Sequence, residues 1–141
     1  MVHGLEDART ALADGAPVTL ISAPGAALYA GWLWWREMVS QARRDYPSTP
    51  AVDVLDCADG SGQALAALRG GQRLIVLAPD APGWADVAAI AAERGGAVLK
   101  RRPAVLDLAV RGASRRLAEW LRRGETDADV AGSSNKRADL E

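Results

Sequence analysis

The run RLIVLA at residues 73–78 constrains this chain more than any other feature, because its apolar residues follow one another without a polar interruption. A strand with one wet face alternates apolar and polar residues, whereas an unbroken apolar run marks a strand covered on both faces, as in a parallel sheet. Three further runs read as strands: PVTLIS at 17–22, AVDVLDC at 51–57 and the short AVLK at 97–100. Helical patterns stand between them. Leu5, Ala8 and Leu12 recur at helical spacing ahead of Gly15, and a long helix is expected from 26 to 45, stopped by Tyr46-Pro47 and Pro50. DGSG at 59–62 opens another helix, ended by Gly70-Gly71, and a further one over 82–94 stops at Gly95-Gly96.

This alternation predicts an α/β fold with about four parallel strands joined by right-handed helical crossovers, with helices on both faces. The expected architecture is a three-layer sandwich of the Rossmann-like or flavodoxin-like kind. With 141 residues, the chain has the length for one such domain, assigned to residues 1–123. Residues 104–111 are open between helix and extended chain: Leu106, Val110, Ala113, Leu117, Trp120 and Leu121 share one helical face, yet Gly112 interrupts it. A helix is expected from 112 to 122. The polar, aperiodic stretch at 124–141 reads as a disordered tail, and its closing Leu140-Glu141 as a vector-derived pair.

Charge and cysteine content exclude several function classes. The formal charge is −1, and the basic density from Lys100 to Arg123 carries no interleaved aromatics or reading motif, which argues against a nucleic-acid partner and for a solvated face. The single cysteine, Cys57, forbids an internal disulfide framework, and no Cys/His cluster has zinc spacing. The N-terminus lacks the apolar core of a secretory signal and no run approaches the ~18 apolar residues of a membrane span, so a cytoplasmic location without membrane contact is expected.

GWLWWREM at 31–38 sits in the long helix. On a helical wheel Leu28, Trp32, Trp35, Val39, Ala42 and Tyr46 share one face and are assigned to the core. Trp34 lies off that stripe beside Ala27, Met38 and Gln41, and Leu33 points nearly opposite it. Two readings stand: Trp34 covers the margin of the core, or Tyr29, Leu33, Trp34 and Met38 form an interface for a homo-oligomer or a protein partner.

The second candidate region is the carboxyl ends of the strands, where ligands bind in open parallel sheets at the point of strand-order reversal. It offers Ser22, Gly25, Asp56, Asp59, Gly60 and Asp80 for a phosphate-containing metabolite or Mg²⁺. Neither glycine loop has a phosphate-cradle pattern, and Gly60-Ser61-Gly62 has Leu65 where a dinucleotide fingerprint needs glycine. Aspartates after strands also serve as turn formers and helix caps. No cofactor or resident metal is assigned. Catalytic residues are not assigned either: Ser22 lacks a GxSxG elbow, and Cys57 lies beside Asp56 with the lone histidine, His3, far off in sequence.

The stretches VDVLDCADGSGQALAALR, RLIVLAPD and AERGGAVLKRRP resemble the later part of a response-regulator receiver domain, over residues 51–103. The resemblance places Asp56 at the phospho-acceptor position and Lys100 at that of the lysine that contacts the phosphoryl group. Ser22-Ala23-Pro24 replaces the family's acidic metal-binding pair and Leu77-Ala78 occupies its Ser/Thr switch position. What it implies is therefore a receiver-like fold without the phosphorylation machinery. The leading functional expectation is a non-catalytic binding or interaction module, and the alternative is a small-ligand enzyme or sensor at the strand ends.

Overall fold

A computed structural model of the protein describes residues 1–124; the tail expected to be disordered lies, from residue 125 on, outside the described residues. The chain is an α/β sandwich in which a four-stranded, all-parallel sheet is built from β1 (Val18–Ile21), β2 (Ala51–Asp56), β3 (Leu74–Val76) and β4 (Ala97–Leu99). Six helices accompany it: α1 (Leu5–Leu12), α2 (Ala26–Tyr29), α3 (Trp32–Asp45), α4 (Ser61–Arg69), α5 (Trp84–Glu93) and α6 (113–124). Each strand falls inside its expected run, and 104–111 turns out irregular rather than helical. No helix among the described residues is long and apolar enough to cross a membrane.

The strands lie in the order β1-β2-β3-β4. Every crossover therefore steps one place in the same direction, and right-handed connections of that kind bring all crossover helices to a single face. On that face Leu20, Leu55, Ile75 and Leu77 pack with Ala8 and Leu12 of α1, Trp35 and Val39 of α3, Leu68 of α4 and Val87 of α5 in one core. Helices α1 to α5 all contribute to this one core. Ile21, Val54 and Val76 on the opposite face are covered instead by Met1, Leu99 and Val105, the last from the irregular chain after β4. The Met1 amino group donates to Leu106 O (2.6 Å) and Leu108 N to Met1 O (3.1 Å), which fastens this strap to the chain's first residue.

The long helix expected over 26–45 is broken. Ala30 and Gly31 both donate to Ala26 O, and Gly31 then takes φ 88°, a left-handed-side conformation that glycine adopts without a Cβ penalty. The break resets the helical phase. Leu28, assigned to the core by a continuous wheel, is 45% exposed, while Trp35, Val39 and Ala42 keep their buried stripe. Trp35 is fully buried and its indole N–H donates to Asp53 Oδ2 (2.9 Å), a partner that also accepts from Arg43 (2.9 Å) and Gln72 (3.0 Å). Met38 is corrected too. It is buried to 7% exposure in the core, and α1 packs against α3 with the Arg9–Asp45 ion pair (2.8 Å) between them.

Close backbone approach fixes two connections. A Cβ on Gly96 would collide with the backbone of Arg73 at the start of β3, whereas one on Gly62 in α4 would meet nothing within 4 Å. Gly96→Ala should therefore lower stability by about 1–3 kcal/mol through overpacking. Gly62→Ala should raise it by about 0.5–1 kcal/mol by reducing unfolded-chain entropy. Urea unfolding of the two variants beside the wild type reads both signs; equal effects would contradict the close packing of β3 and β4.

Candidate functional site

β2 lies between β1 and β3, and its last residue, Asp56, ends the strand on the strap side. An aspartate buried there needs donors for each oxygen. The fold supplies them: Oδ1 accepts from Gly25 N (3.0 Å) and Ala58 N (2.8 Å), and Oδ2 from Arg102 Nη1 (2.6 Å). Gly25 has φ 68° and Ala58 φ 48°; each turns an amide toward the carboxylate from a left-handed position. Arg102 also donates through Nη2 to Ser22 O (2.9 Å), and its other contact is Met1 Sδ (3.1 Å).

Ser22 completes the arrangement. It is fully buried, its Oγ accepts from Asp56 N (2.9 Å) and donates to Ala23 O (3.1 Å). The hydroxyl thus continues the β1–β2 ladder by one rung where β1 turns away. Three of the candidate ligand residues, Ser22, Gly25 and Asp56, are brought together, and their polar atoms bond one another and Arg102. No buried side-chain polar atom among the described residues lacks a partner.

The remaining candidates stand apart from that cluster. Asp59 and Asp80 are exposed, and no group of three or more His, Cys, Asp or Glu side chains among the described residues is placed to hold a metal ion. Gly60 serves packing: a Cβ there would run into Leu28 Cδ2 and Gln63 Oε1, so the glycine makes the seat for Leu28 at the mouth of the strand ends. Lys100 lies with Nζ 5.0 Å from the centre of the Trp84 ring, so the cation that meets Asp56 is Arg102. The order β1-β2-β3-β4 never reverses, and the crevice that a reversal opens is therefore not formed.

Cys57 is fully buried beneath the same loops. Burial, and secondarily the charge of Asp56, push its thiol pKa up to about 12. It is a small apolar side chain in practice, inert as a nucleophile or ligand.

Sequence reasoning missed Arg102 and Asp53. Arg102 was one of several basic residues in a run read as a solvated face, and its pairing depends on the chain crossing back over β2. Asp53 sits between Val52 and Val54 in β2, a signal that a donor, here the Trp35 indole, stands opposite it.

Two expectations follow. Replacing Arg102 by Met strands a buried carboxylate and should cost about 3–5 kcal/mol in urea unfolding at neutral pH, with Asp56→Asn in the same chain recovering much of the loss. A loss under about 1 kcal/mol would show that the pair is no anchor of the strap. Cys57 in the folded protein should resist a thiol reagent at mildly alkaline pH and react only as fast as the chain unfolds; prompt labelling would contradict its burial.

Comparison of the chain with protein-family models, with curated proteins and with solved structures returns no match.

Proposed function

We propose that the protein is a non-catalytic interaction module that self-associates through the corner formed by α2 and the first turn of α3. The observation that carries this reading is the concentration of exposed large apolar side chains in one short stretch: Leu28, Tyr29 at 70% exposure, Leu33 at 49% and Trp34 at 38%. Single exposed apolar residues are ordinary, whereas several together mark contact surfaces. Tyrosine and tryptophan are the residues that such surfaces favour, because they offer large area with few rotatable bonds.

Two features of local structure support it. The Gly31 break turns Leu28 and Tyr29 outward instead of continuing the buried stripe of α3. The Trp34 ring stands against Trp35 with centroids 6.3 Å apart at 48°, so an outer indole is braced on an immobile inner one and loses little freedom on contact. A second copy of this chain is the simplest occupant, since a two-fold axis lets one patch meet itself. The interface has Tyr29, Leu33 and Trp34 at its centre and excludes Met38, which the core has already taken.

Sedimentation velocity across low micromolar to submillimolar protein should show a concentration-dependent shift toward dimer. Trp34→Ala or Leu33→Glu should abolish the shift with the circular dichroism unchanged. A wild type that stays monomeric throughout that range would refute self-association at this corner.

A further inference from the structure

We propose a second binding site, independent of the α2–α3 corner: the outer edge of β1, which takes an extended acidic peptide as an additional strand. Backbone hydrogen bonds define the edge. Val18 N donates to Pro50 O (3.0 Å) and Ser22 N to Val54 O (3.1 Å), so the even-numbered residues of β1 turn their backbone groups toward β2. Thr19 and Ile21 turn theirs outward. One outward group is already used, since Val2 N donates to Ile21 O (2.9 Å). The position of a neighbouring strand is thus begun by the chain's own second residue and then left, with the Thr19 N–H and C=O and the Ile21 N–H facing out.

What they face is a groove. It has a volume of about 420 Å³, within the ~300–1,000 Å³ of ligand sites, and runs along residues 17–21. Its opposite wall is apolar, formed by Val105 of the strap and Leu117, Trp120 and Leu121 of α6. One wall therefore offers peptide groups without partners among the described residues, and the other offers apolar side chains. A purely apolar small molecule would satisfy the second wall and leave the first desolvated without partners. An extended peptide satisfies both, through main-chain bonds to Thr19 and Ile21 and alternate side chains against Trp120 and Leu117.

Charge supplies the rest of the specificity. An adjoining groove shares Val105, Leu106 and Trp120 with the first and carries Arg116, Arg123, Asp107 and Glu119. Both carboxylates there are engaged: Asp107 by His3 (2.7 Å) and Ala109 N (2.9 Å), and Glu119 by Arg123. Arg116, in the lining of this adjoining groove, makes no ion pair among the described residues. A carboxylate two or three residues beyond the apolar segment of a bound peptide would meet it. Within β1 itself no lysine, proline or bulge shields the edge; Pro17, just before it, limits outward pairing to the residues that follow.

The test pans a phage-displayed random peptide library on the full chain and follows enriched sequences as synthetic peptides. Enriched peptides should alternate apolar residues and carry a carboxylate, and their binding should slow amide hydrogen exchange at Thr19 and Ile21. Thr19→Pro removes one outward N–H on an edge strand and should weaken binding about tenfold. Arg116→Gln should weaken it about threefold and flatten its dependence on salt. Trp34→Ala should leave it unchanged, which separates this site from the self-association surface. Failure to enrich any sequence, enriched peptides that bind without slowing exchange at Thr19 and Ile21, or equal affinity for folded Thr19→Pro would overturn the proposal. So would slowing of those two amides with protein concentration alone, because that outcome assigns the edge to a second copy. Should Thr19→Pro fail to fold, the exchange measurement on the wild type decides.

Discussion

Right-handedness of the crossovers, applied to a strand order that never reverses, determines nearly everything else about this molecule. Three successive steps in one direction gather α2 to α5 on one face, where they bury Leu20, Leu55, Ile75 and Leu77. A parallel sheet has apolar residues on its other face as well, and these must also leave water. Ile21, Val54 and Val76 are that other set. With no crossover helix available to cover them, the chain uses what remains after β4, an irregular strap too short in regular structure to hold itself in place. Arg102 and the first residues of the chain supply the fastening.

Seen from that constraint, the cluster at the carboxyl end of β2 is a structural joint. The strap needs a strong polar anchor on the sheet, and the end of β2 is where a carboxylate can be surrounded by donors without interrupting a ladder. Asp56 meets two amides from adjacent loops and one guanidinium, and Ser22 repairs the ladder at the point where β1 departs. A buried pair of this kind contributes little net stability compared with apolar residues of the same shape, yet breaking it is costly. Its value is positional: it decides which of several basic residues after β4 lies over the sheet. A group that already has all its partners is poorly disposed to bind anything else, and polar atoms without free valence make a weak ligand site.

The sheet was legible in the sequence because its signal is local. RLIVLA needs no knowledge of the rest of the chain to be read as a covered strand, and Gly70-Gly71 and Gly95-Gly96 mark the helix ends beside β3 and β4 by their own conformational preferences. The failures are all of longer range. A helical wheel drawn over 26–45 assumes one continuous phase, and Gly31 breaks it, so that Leu28 goes out while Trp35 stays in. Met38 is off the stripe drawn for an isolated α3 and is nevertheless core, because tertiary packing sets how wide a helix face is buried. Of the candidate ligand residues, Ser22, Gly25 and Asp56 do meet, since strand ends in one sheet are neighbours whatever the strand order. Asp59 and Asp80 do not join them, because membership in the same rim does not set which way a loop side chain points.

The two surfaces proposed for contact differ in physical kind, and the difference follows from where each arises. At the α2–α3 corner the backbone is engaged in helical bonds and a local turn, so the proposed self-contact would draw its affinity from the side chains of Tyr29, Leu33 and Trp34. Along β1 the reverse holds. Among the described residues no further strand pairs with β1 on that side, and beyond the Val2 bond to Ile21 O the outward peptide groups of Thr19 and the Ile21 N–H face a trough. A convex patch cannot reach them, whereas a single extended segment can, and its main-chain bonds carry directionality that side-chain contact lacks. The proposed self-contact and the proposed strand slot thus draw on different parts of the chain, side chains in the one and main chain in the other.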